Sequence, residues 1–507
     1  MSVFPLIRLQ IRPSLGEFES TFPRGGRLAL RAPSSTTNPN STLFDRRGNL
    51  FKEYSHIAFS AELWYTIRKK NHFSGSDVTA MKIKTVNKSY EEVMTLPRLQ
   101  HKNPRKPSLF LGTVVRLVSL PTMWKTKFSY TTERMELVGK KPCLILMNHS
   151  SFTDMKLAYS IFYPRPFGIV TTTDAFIGPL GPLERLLGCI PTQKFVSDIS
   201  LIRDIEYMLK ENKASVLMYP EASYSFDGTA TPLPRKMGVL LKKLGVPVVT
   251  VITKGAFARD PLYNMLQIRD VTVSAHVKCL FTEQELKEKS VKELDAALDE
   301  AFSFDNFAWQ RDNKVSIDVP FRADGLERIL YKCPHCGAEG KMEGKGTGIT
   351  CHACGKHWEM DEYGQLKADS GETEYPHIPD WYAWERSEVQ RELEEGTYRL
   401  DTDVDIGMMV DYKAIYMVGE GHLKHDENGF HLTGCDGKLD YSQGPLACYS
   451  LYADYYWYEI ADVICFGNQD ALYYCFPKTS VSVAKARMAV EELYKLKKVR
   501  RKPAAAE

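Results

Sequence analysis

Short apolar runs that end in polar turns set the pattern of this chain. Residues 143–147, 215–218 and 246–252 are almost wholly apolar and too short for buried helices, so they predict strands covered on both faces. Between the first two, Ser151 and Asp154 stand at N-cap-to-N3 spacing ahead of residues 155–159, which predicts a helix directly after the first strand. Residues 282–302 carry apolar positions at helical spacing (Leu286, Leu294, Leu298, Phe302) behind a capping box at Thr282 and Glu285, and predict a helix closing this region. Beyond Asp361 the pattern turns to β. Residues 414–418, 429–433, 450–452, 462–466 and 471–476 read as short strands between Gly, Asn and Asp turns, and a last helix is expected over about 481–498.

With 507 residues, the chain is expected to hold two or three domains and a large core. Its 43% hydrophobic and 25% charged content is that of an ordinary globular protein, and a net charge of +3 gives no argument for nucleic acid. No stretch reaches the ~18 to 20 uninterrupted apolar residues that span a bilayer. Residues 109–120 are apolar except for Arg116 and follow Lys102, Arg105 and Lys106, so they predict either an interfacial amphipathic helix or one packed on the core. Residues 1–80 are expected to be disordered or a non-native extension. The first fifty are rich in arginine and polar residues without periodicity, a composition that also fits a transit peptide, and Met81 opens the patterned region.

The most informative residues are Asn148 to Asp154. His149 falls at the C-terminal edge of a predicted buried strand, where open α/β sheets place their chemistry, and the following helix brings Asp154 back over that edge. A carboxylate accepting from one imidazole nitrogen leaves the other free as a base, with a hydroxyl as its natural proton donor. The bland alternative is a capped helix beside a strand-end histidine. Three further blocks follow: residues 188–194 ending in Lys194, Tyr219-Pro220-Glu221-Ala222-Ser223-Tyr224-Ser225, and residues 245–252 with Pro247. Together the four resemble the lysophospholipid (1-acylglycerol-3-phosphate) acyltransferase family with its His-x-x-x-x-Asp core. The resemblance implies an α/β acyltransferase-like core with a mixed, mostly parallel sheet flanked by helices. It also implies His149 as general base, Asp154 as its partner, direct attack of the acceptor hydroxyl on an acyl thioester, and no acyl-enzyme. Lys194 stands where the family has an arginine for the acceptor's phosphate. The third block departs from the family's Phe-Pro-Glu-Gly-Thr-Arg-Ser by having Ala222, Ser223 and Tyr224 for Gly, Thr and Arg. The expected substrate-binding residues are therefore Lys194, Glu221 and Lys236, with Lys236 or its neighbour Arg235 replacing the missing charge.

Cys333-Pro-His-Cys336-Gly and Cys351-His-Ala-Cys354-Gly are two knuckles separated by a glycine-rich turn. Cys333, Cys336, Cys351 and Cys354 predict a closed, structural Zn²⁺ site resembling a zinc ribbon, with two disulfides as the competing reading. His335 and His352, inside the knuckles, are expected to be exposed. The ribbon's lysines are balanced by acids, which gives no phosphate-tracking face. The other seven cysteines are scattered and odd in number, which suits a reducing compartment. The C-terminal strands and helix are similar to a pleckstrin-homology-like barrel by fold analogy alone.

The domain reading is therefore an extension over 1–80, a glycerolipid acyltransferase-like domain over 81–305, a zinc ribbon over 328–366 and a β-rich domain over 375–502. The expected function is transfer of an acyl group from acyl-CoA or acyl carrier protein to a lysophospholipid, with lysophosphatidate as the expected acceptor. The expected location is cytoplasmic, held peripherally at a membrane. The alternatives are a thioesterase or lipase, for which the chain lacks a Gly-x-Ser-x-Gly elbow, and a non-catalytic lipid-binding scaffold.

Overall fold

The computed structural model describes residues 83–500, except 99, 179, 180, 197, 235, 236 and 459. Residues 1–80 and Lys236 with Arg235 lie outside the described residues, and so do the expectations placed on them.

Strand β1 (Thr85–Asn87) precedes helix α1 (Leu109–Lys125), which begins where Ser108 Oγ accepts from the Leu111 N–H. Strand β2 (Ser129–Glu133) and strand β3 (Leu144–Met147) follow, then helix α2 (Asp154–Phe162). Next come β4 (Phe167–Thr172), β5 (Ile190–Thr192), β6 (Ser215–Met218), β7 (Val248–Lys254) and β8 (Ser274–Phe281). Strands β2 to β8 form one sheet in the order β2-β8-β7-β3-β6-β4-β5, parallel throughout except for the β7–β8 pair.

Strand β3 lies in the middle with every residue buried, and its alternating side chains feed two apolar layers. Ile145 and Met147 pack with Val115 of α1 and Leu157 and Ala158 of α2. Leu144 and Leu146 pack on the opposite face with Ile205, Met208 and Leu241, from the helices Ile199–Lys210 and Met237–Leu244. A polar side chain at any of these positions would lose about 1.5–3 kcal/mol of burial and break a layer. Gly188 lies just before β5 at φ +80°, and a Cβ there would meet the Pro107 ring at 2.7 Å, so both the backbone and the packing require glycine.

The helix expected over 282–302 is two helices, Glu283–Glu288 and Val291–Ala301. Ser290 and Glu293 form a second capping box behind an extended Lys289, which stops the first helix and starts the next.

Strands β9 (Met342–Lys345), β10 (Gly348–Cys351), β11 (His357–Met360) and β12 (Leu366–Ala368) make a small antiparallel sheet. Helix α3 (Ile378–Glu394) leads into the β-rich region: β13 (Leu400–Met409), β14 (Ile415–Asp426), β15 (Gly429–Gly434), β16 (Leu439–Gln443), β17 (Tyr452–Trp457), β18 (Ala461–Gly467) and β19 (Leu472–Pro477). Two antiparallel meanders, β13 to β16 and β17 to β19, join through β13 and β19. Strand β1 adds to β14 in parallel, Thr85 opposite Ile415. Strand β13 is absent from the strands expected because Asp401, Asp403 and Asp405 on its outer face interrupt the apolar pattern, while Thr402, Val404 and Ile406 point inward.

Helix α4 (Val483–Arg500) closes the chain against this sheet and α3. Arg386 of α3 pairs with Glu491 and Glu492, and Lys485 pairs with Glu339 and Glu392. One apolar cluster runs from Phe226 and Phe257 through Trp358 and Trp381 to Leu423 and Ile464, so the regions share a continuous core.

Candidate active site

Strands β3 and β6 are parallel neighbours, with Leu146 opposite Met218, so their C-terminal ends open side by side. Asn148 anchors the first of these ends: its Oδ1 accepts from the Thr253 N–H at 2.8 Å, and its Nδ2 donates to Ser150 Oγ at 2.9 Å. The next residue is thereby presented at the sheet edge. His149 donates its backbone N–H to Glu221 Oε2 (2.9 Å) and accepts from the Ser225 N–H at its carbonyl (3.1 Å). Residues 219–225 thus hold the histidine's main chain from the neighbouring strand.

The imidazole Nδ1 lies 2.9 Å from Asp154 Oδ2. That oxygen also accepts from the backbone N–H groups of Ser150 (3.0 Å) and Ser151 (3.2 Å), whereas Oδ1 has no hydrogen-bond partner among the described residues. Helix α2 begins at Asp154 itself, with Thr153 in the N-cap place, so the bonds between Ser151 and Asp154 close the turn ahead of the helix rather than its first turn. The Ser151 hydroxyl donates to Asp260 Oδ1 at 2.6 Å, an acceptor held by Arg259, while its oxygen accepts from the Thr153 N–H at 3.0 Å.

The imidazole is sandwiched. Tyr219 stacks on one side (centroids 4.0 Å, 20°) and Tyr224 on the other (3.7 Å, 27°), with Phe152 beyond Tyr224. The faces are covered and the ring presents its edge, leaving the side chain 16% exposed. Burial, and next the charge of Lys194, hold the imidazole well below its usual pKa, so it is neutral near pH 7. Burial pushes the Asp154 carboxyl up to about 8 against the two serine amides. Burial thus disfavours the charged form of each partner, the imidazolium and the carboxylate.

Glu221 is buried, and its oxygens accept from the His149 and Thr231 amides (2.9 and 3.0 Å). Each oxygen thus holds one amide of the chain's own backbone. Burial raises its pKa to about 7, opposed by those amides and by the charge of Arg487. Ala222 takes the family's glycine position and still adopts a glycine-type backbone, φ +56°, at a cost of roughly 1–2 kcal/mol. Tyr224, at the family's arginine position, contributes its ring to the stack and its carbonyl to Arg487 Nη1 (3.4 Å).

Lys194 follows β5 and is half-buried, with Nζ 4.0 Å above the ring of Tyr452 from β17. Burial lowers its pKa, while Asp454 and Asp174 oppose that shift; among the described residues none forms an ion pair with it.

The structure thus gathers His149, Asp154, Glu221 and Lys194 at one sheet edge. Sequence reasoning misses Tyr219 and Tyr224 as ring neighbours, Asp260, and the C-terminal residues Tyr452 and Arg487. No local signal marks contacts made across hundreds of residues, although an aromatic residue on each side of Pro220-Glu221 is visible in the chain.

At the second site, the sulfurs of Cys333, Cys336, Cys351 and Cys354 all lie within 4.8 Å of one another. Cys333 and Cys354, and Cys336 and Cys351, are 3.8 Å apart and not disulfide-bonded. A tetrahedron of sulfurs at ~2.3 Å from Zn²⁺ has edges of about 3.8 Å, so the donors fit a closed four-thiolate ion. His335 and His352 are exposed and turn to Glu374 and Glu343.

Residues 127–254 match the family model Acyltransferase. That segment contains His149, Asp154, Lys194 and Glu221. The chain is 27% identical over 140 residues to 1-acyl-sn-glycerol-3-phosphate acyltransferase BAT2, chloroplastic, of Brassica napus, covering 27% of this chain and 40% of that protein. It is 30% identical over 115 residues to human 1-acyl-sn-glycerol-3-phosphate acyltransferase beta, covering 22% and 41%. The chain thus spans about two fifths of the length of these curated relatives. A solved structure, the 1-acyl-sn-glycerophosphate acyltransferase PlsC from Thermotoga maritima, is similar at 16% identity and a TM-score of 0.27, over 38% of this chain and 81% of that one. A likeness of that size carries no argument.

Proposed function

We propose, from the premise that residues 127–254 are a domain of the acyltransferase family, that this chain moves a fatty acyl group to the free hydroxyl of a lysophospholipid. The donor is acyl-CoA or acyl carrier protein, and the acceptor read here is lysophosphatidate. The observation that carries this is the 2.9 Å contact between His149 Nδ1 and Asp154 Oδ2, which fixes the imidazole with its other nitrogen at the exposed edge.

In this reading Nε2 takes the proton of the acceptor hydroxyl as its oxygen bonds to the thioester carbonyl carbon. The tetrahedral intermediate collapses, the carbon–sulfur bond breaks, and the departing thiolate takes the proton back from the imidazolium. Asp154 stabilises that imidazolium, Glu221 and Asn148 hold the histidine's backbone, and Lys194 meets the acceptor's phosphate. The four cysteines hold a structural Zn²⁺ that braces the ribbon. The two meanders closed by α4 support a pleckstrin-homology-like reading of the β-rich region.

A peripheral membrane position belongs to the same reading. Among the described residues no helix is long and apolar enough to cross a membrane. Helix α1 instead exposes Phe110 (74%), Leu117 (58%) and Trp124 (73%), at helical spacing along one face, beside exposed Lys102, Arg105, Lys106, Lys125 and Lys127. Apolar side chains flanked by cations suit an anionic lipid surface.

The test is a lysolipid panel with labelled acyl donors, following free thiol release, on wild type and His149→Ala. Release that depends on the added lysolipid and falls in the variant is expected. A hydrolase releases thiol without acceptor, a scaffold releases none, and full transfer by His149→Ala defeats the mechanism.

A further inference from the structure

We infer that Tyr452 of the β-rich region is a positioning residue for the acceptor's phosphate, acting by holding the Lys194 ammonium in place without cancelling its charge. The inference rests on the acyl-transfer reading above. It assigns the C-terminal region a part in acceptor recognition.

The geometry begins with a buried ring that cannot turn. The Tyr452 hydroxyl donates to Asp174 Oδ2 at 2.7 Å and accepts from Trp457 Nε1 at 2.9 Å, while the Trp457 ring packs on Tyr474 at 4.8 Å. Asp174 belongs to the turn after β4, the strand beside β5, so the hydroxyl ties the β-rich sheet to the sheet that carries Lys194. The lysine's Nζ sits 4.0 Å above the centre of that ring.

The kind of contact matters. A carboxylate at ion-pair distance would hold an ammonium and neutralise it toward an incoming anion. An aromatic face holds the cation through its quadrupole and leaves the unit charge in place. Asp174 and Asp454 act on Lys194 without forming an ion pair, which favours its protonated form despite burial. A half-buried ammonium with no ion-pair partner among the described residues is costly unless it meets an anion during turnover. Its charge also reaches His149, where it adds to burial in disfavouring the imidazolium.

The test uses full-length Tyr452→Leu and Tyr452→Phe, with acyl-CoA as donor and two acceptors, lysophosphatidate and a monoacylglycerol that lacks phosphate. The leucine variant is expected to raise KM for lysophosphatidate about tenfold, the scale of one desolvated cation–π contact, with KM for acyl-CoA and the rate on monoacylglycerol unchanged. Tyr452→Phe keeps the π-face but loses the hydroxyl's ties to Asp174 and Trp457, and is expected to raise that KM less than Tyr452→Leu does. In a Lys194→Met background the leucine change is expected to add nothing, because its effect runs through the ammonium. If Tyr452→Leu does not fold, Tyr452→Met fills similar space without a π-face and gives the same reading. An unchanged KM for lysophosphatidate, an equal loss on both acceptors, or additivity with Lys194→Met overturns the inference. Absence of transfer by the wild type overturns the underlying acyl-transfer reading instead.

Discussion

Asp154→Asn gives a sharp test of the His149 environment, because the structure dictates how the amide must sit. Oδ2 accepts three hydrogen bonds, from Nδ1 of His149 and from the Ser150 and Ser151 amides, while Oδ1 has none among the described residues. An amide nitrogen placed at Oδ2 would point donors at two backbone donors, each clash leaving a buried group unsatisfied at about 1–3 kcal/mol. The asparagine oxygen therefore takes the Oδ2 place, the Nδ1–H tautomer survives, and Nε2 stays bare. What is lost is the charge. A hydrogen bond to an ionised group contributes about 1.5–3 kcal/mol against 0.5–1.5 for a neutral one, so the imidazolium of the transition state loses about 1–2 kcal/mol and kcat falls roughly 5- to 30-fold. His149→Ala, which removes the base, is expected to lose about 10²–10⁴-fold. The asparagine NH₂ also enters the unpartnered Oδ1 position, and the urea midpoint is expected to fall with an unchanged slope. Steady-state transfer from labelled acyl-CoA and urea unfolding measure both effects. An Asp154→Asn enzyme as inactive as His149→Ala, or one indistinguishable from wild type, refutes this account.

Because burial raises the Asp154 carboxyl to about 8, the carboxylate that supports the imidazolium gains population as pH rises; kcat is expected to climb with pH and level off above about 8, and a flat profile from pH 6 to 9 counts against the assignment. Purified protein should carry a tightly bound zinc ion, and Cys351→Ser should lose it and lower the thermal midpoint, since Cys351 is a buried member of the cluster; metal-free protein with unchanged unfolding after chelation contradicts the ribbon. Replacing Phe110, Leu117 and Trp124 with serine removes three exposed apolar contacts, so flotation with anionic vesicles is expected to weaken about 10²-fold or more with thermal stability preserved, whereas undiminished flotation removes α1 from the membrane face.

What the chain reveals by itself follows the range of the interactions. Strand β3 is legible because four consecutive apolar residues can be satisfied only inside a sheet covered on both faces, and the two Cys knuckles because their ligands lie close in sequence. The spacing of His149 and Asp154 likewise describes a local turn. The Ser151–Asp154 spacing forms its local bonds to the Thr153 and Ser151 amides one turn ahead of the helix, while the added bond from the Ser151 hydroxyl to the distant Asp260 has no local signal. The second capping box at Ser290 and Glu293 was visible and divides a helix that apolar spacing alone would run together. The bonds from the His149 and Thr231 amides to Glu221, which tie it to the histidine's main chain, have no local signal in the chain. Strand β13, with aspartates on its outer face, and the placement of Tyr452 and Arg487 depend on partners far along the chain.

The pairing of β1 with β14 has a consequence for synthesis. Thr85 leaves the ribosome long before Ile415 exists to receive it, and Lys194 before Tyr452, so early translation yields an edge without its mate and a lysine without its ring. Competence is acquired late. A fragment ending ahead of the closing strands inherits the histidine and the aspartate but not the surroundings that steady the cation.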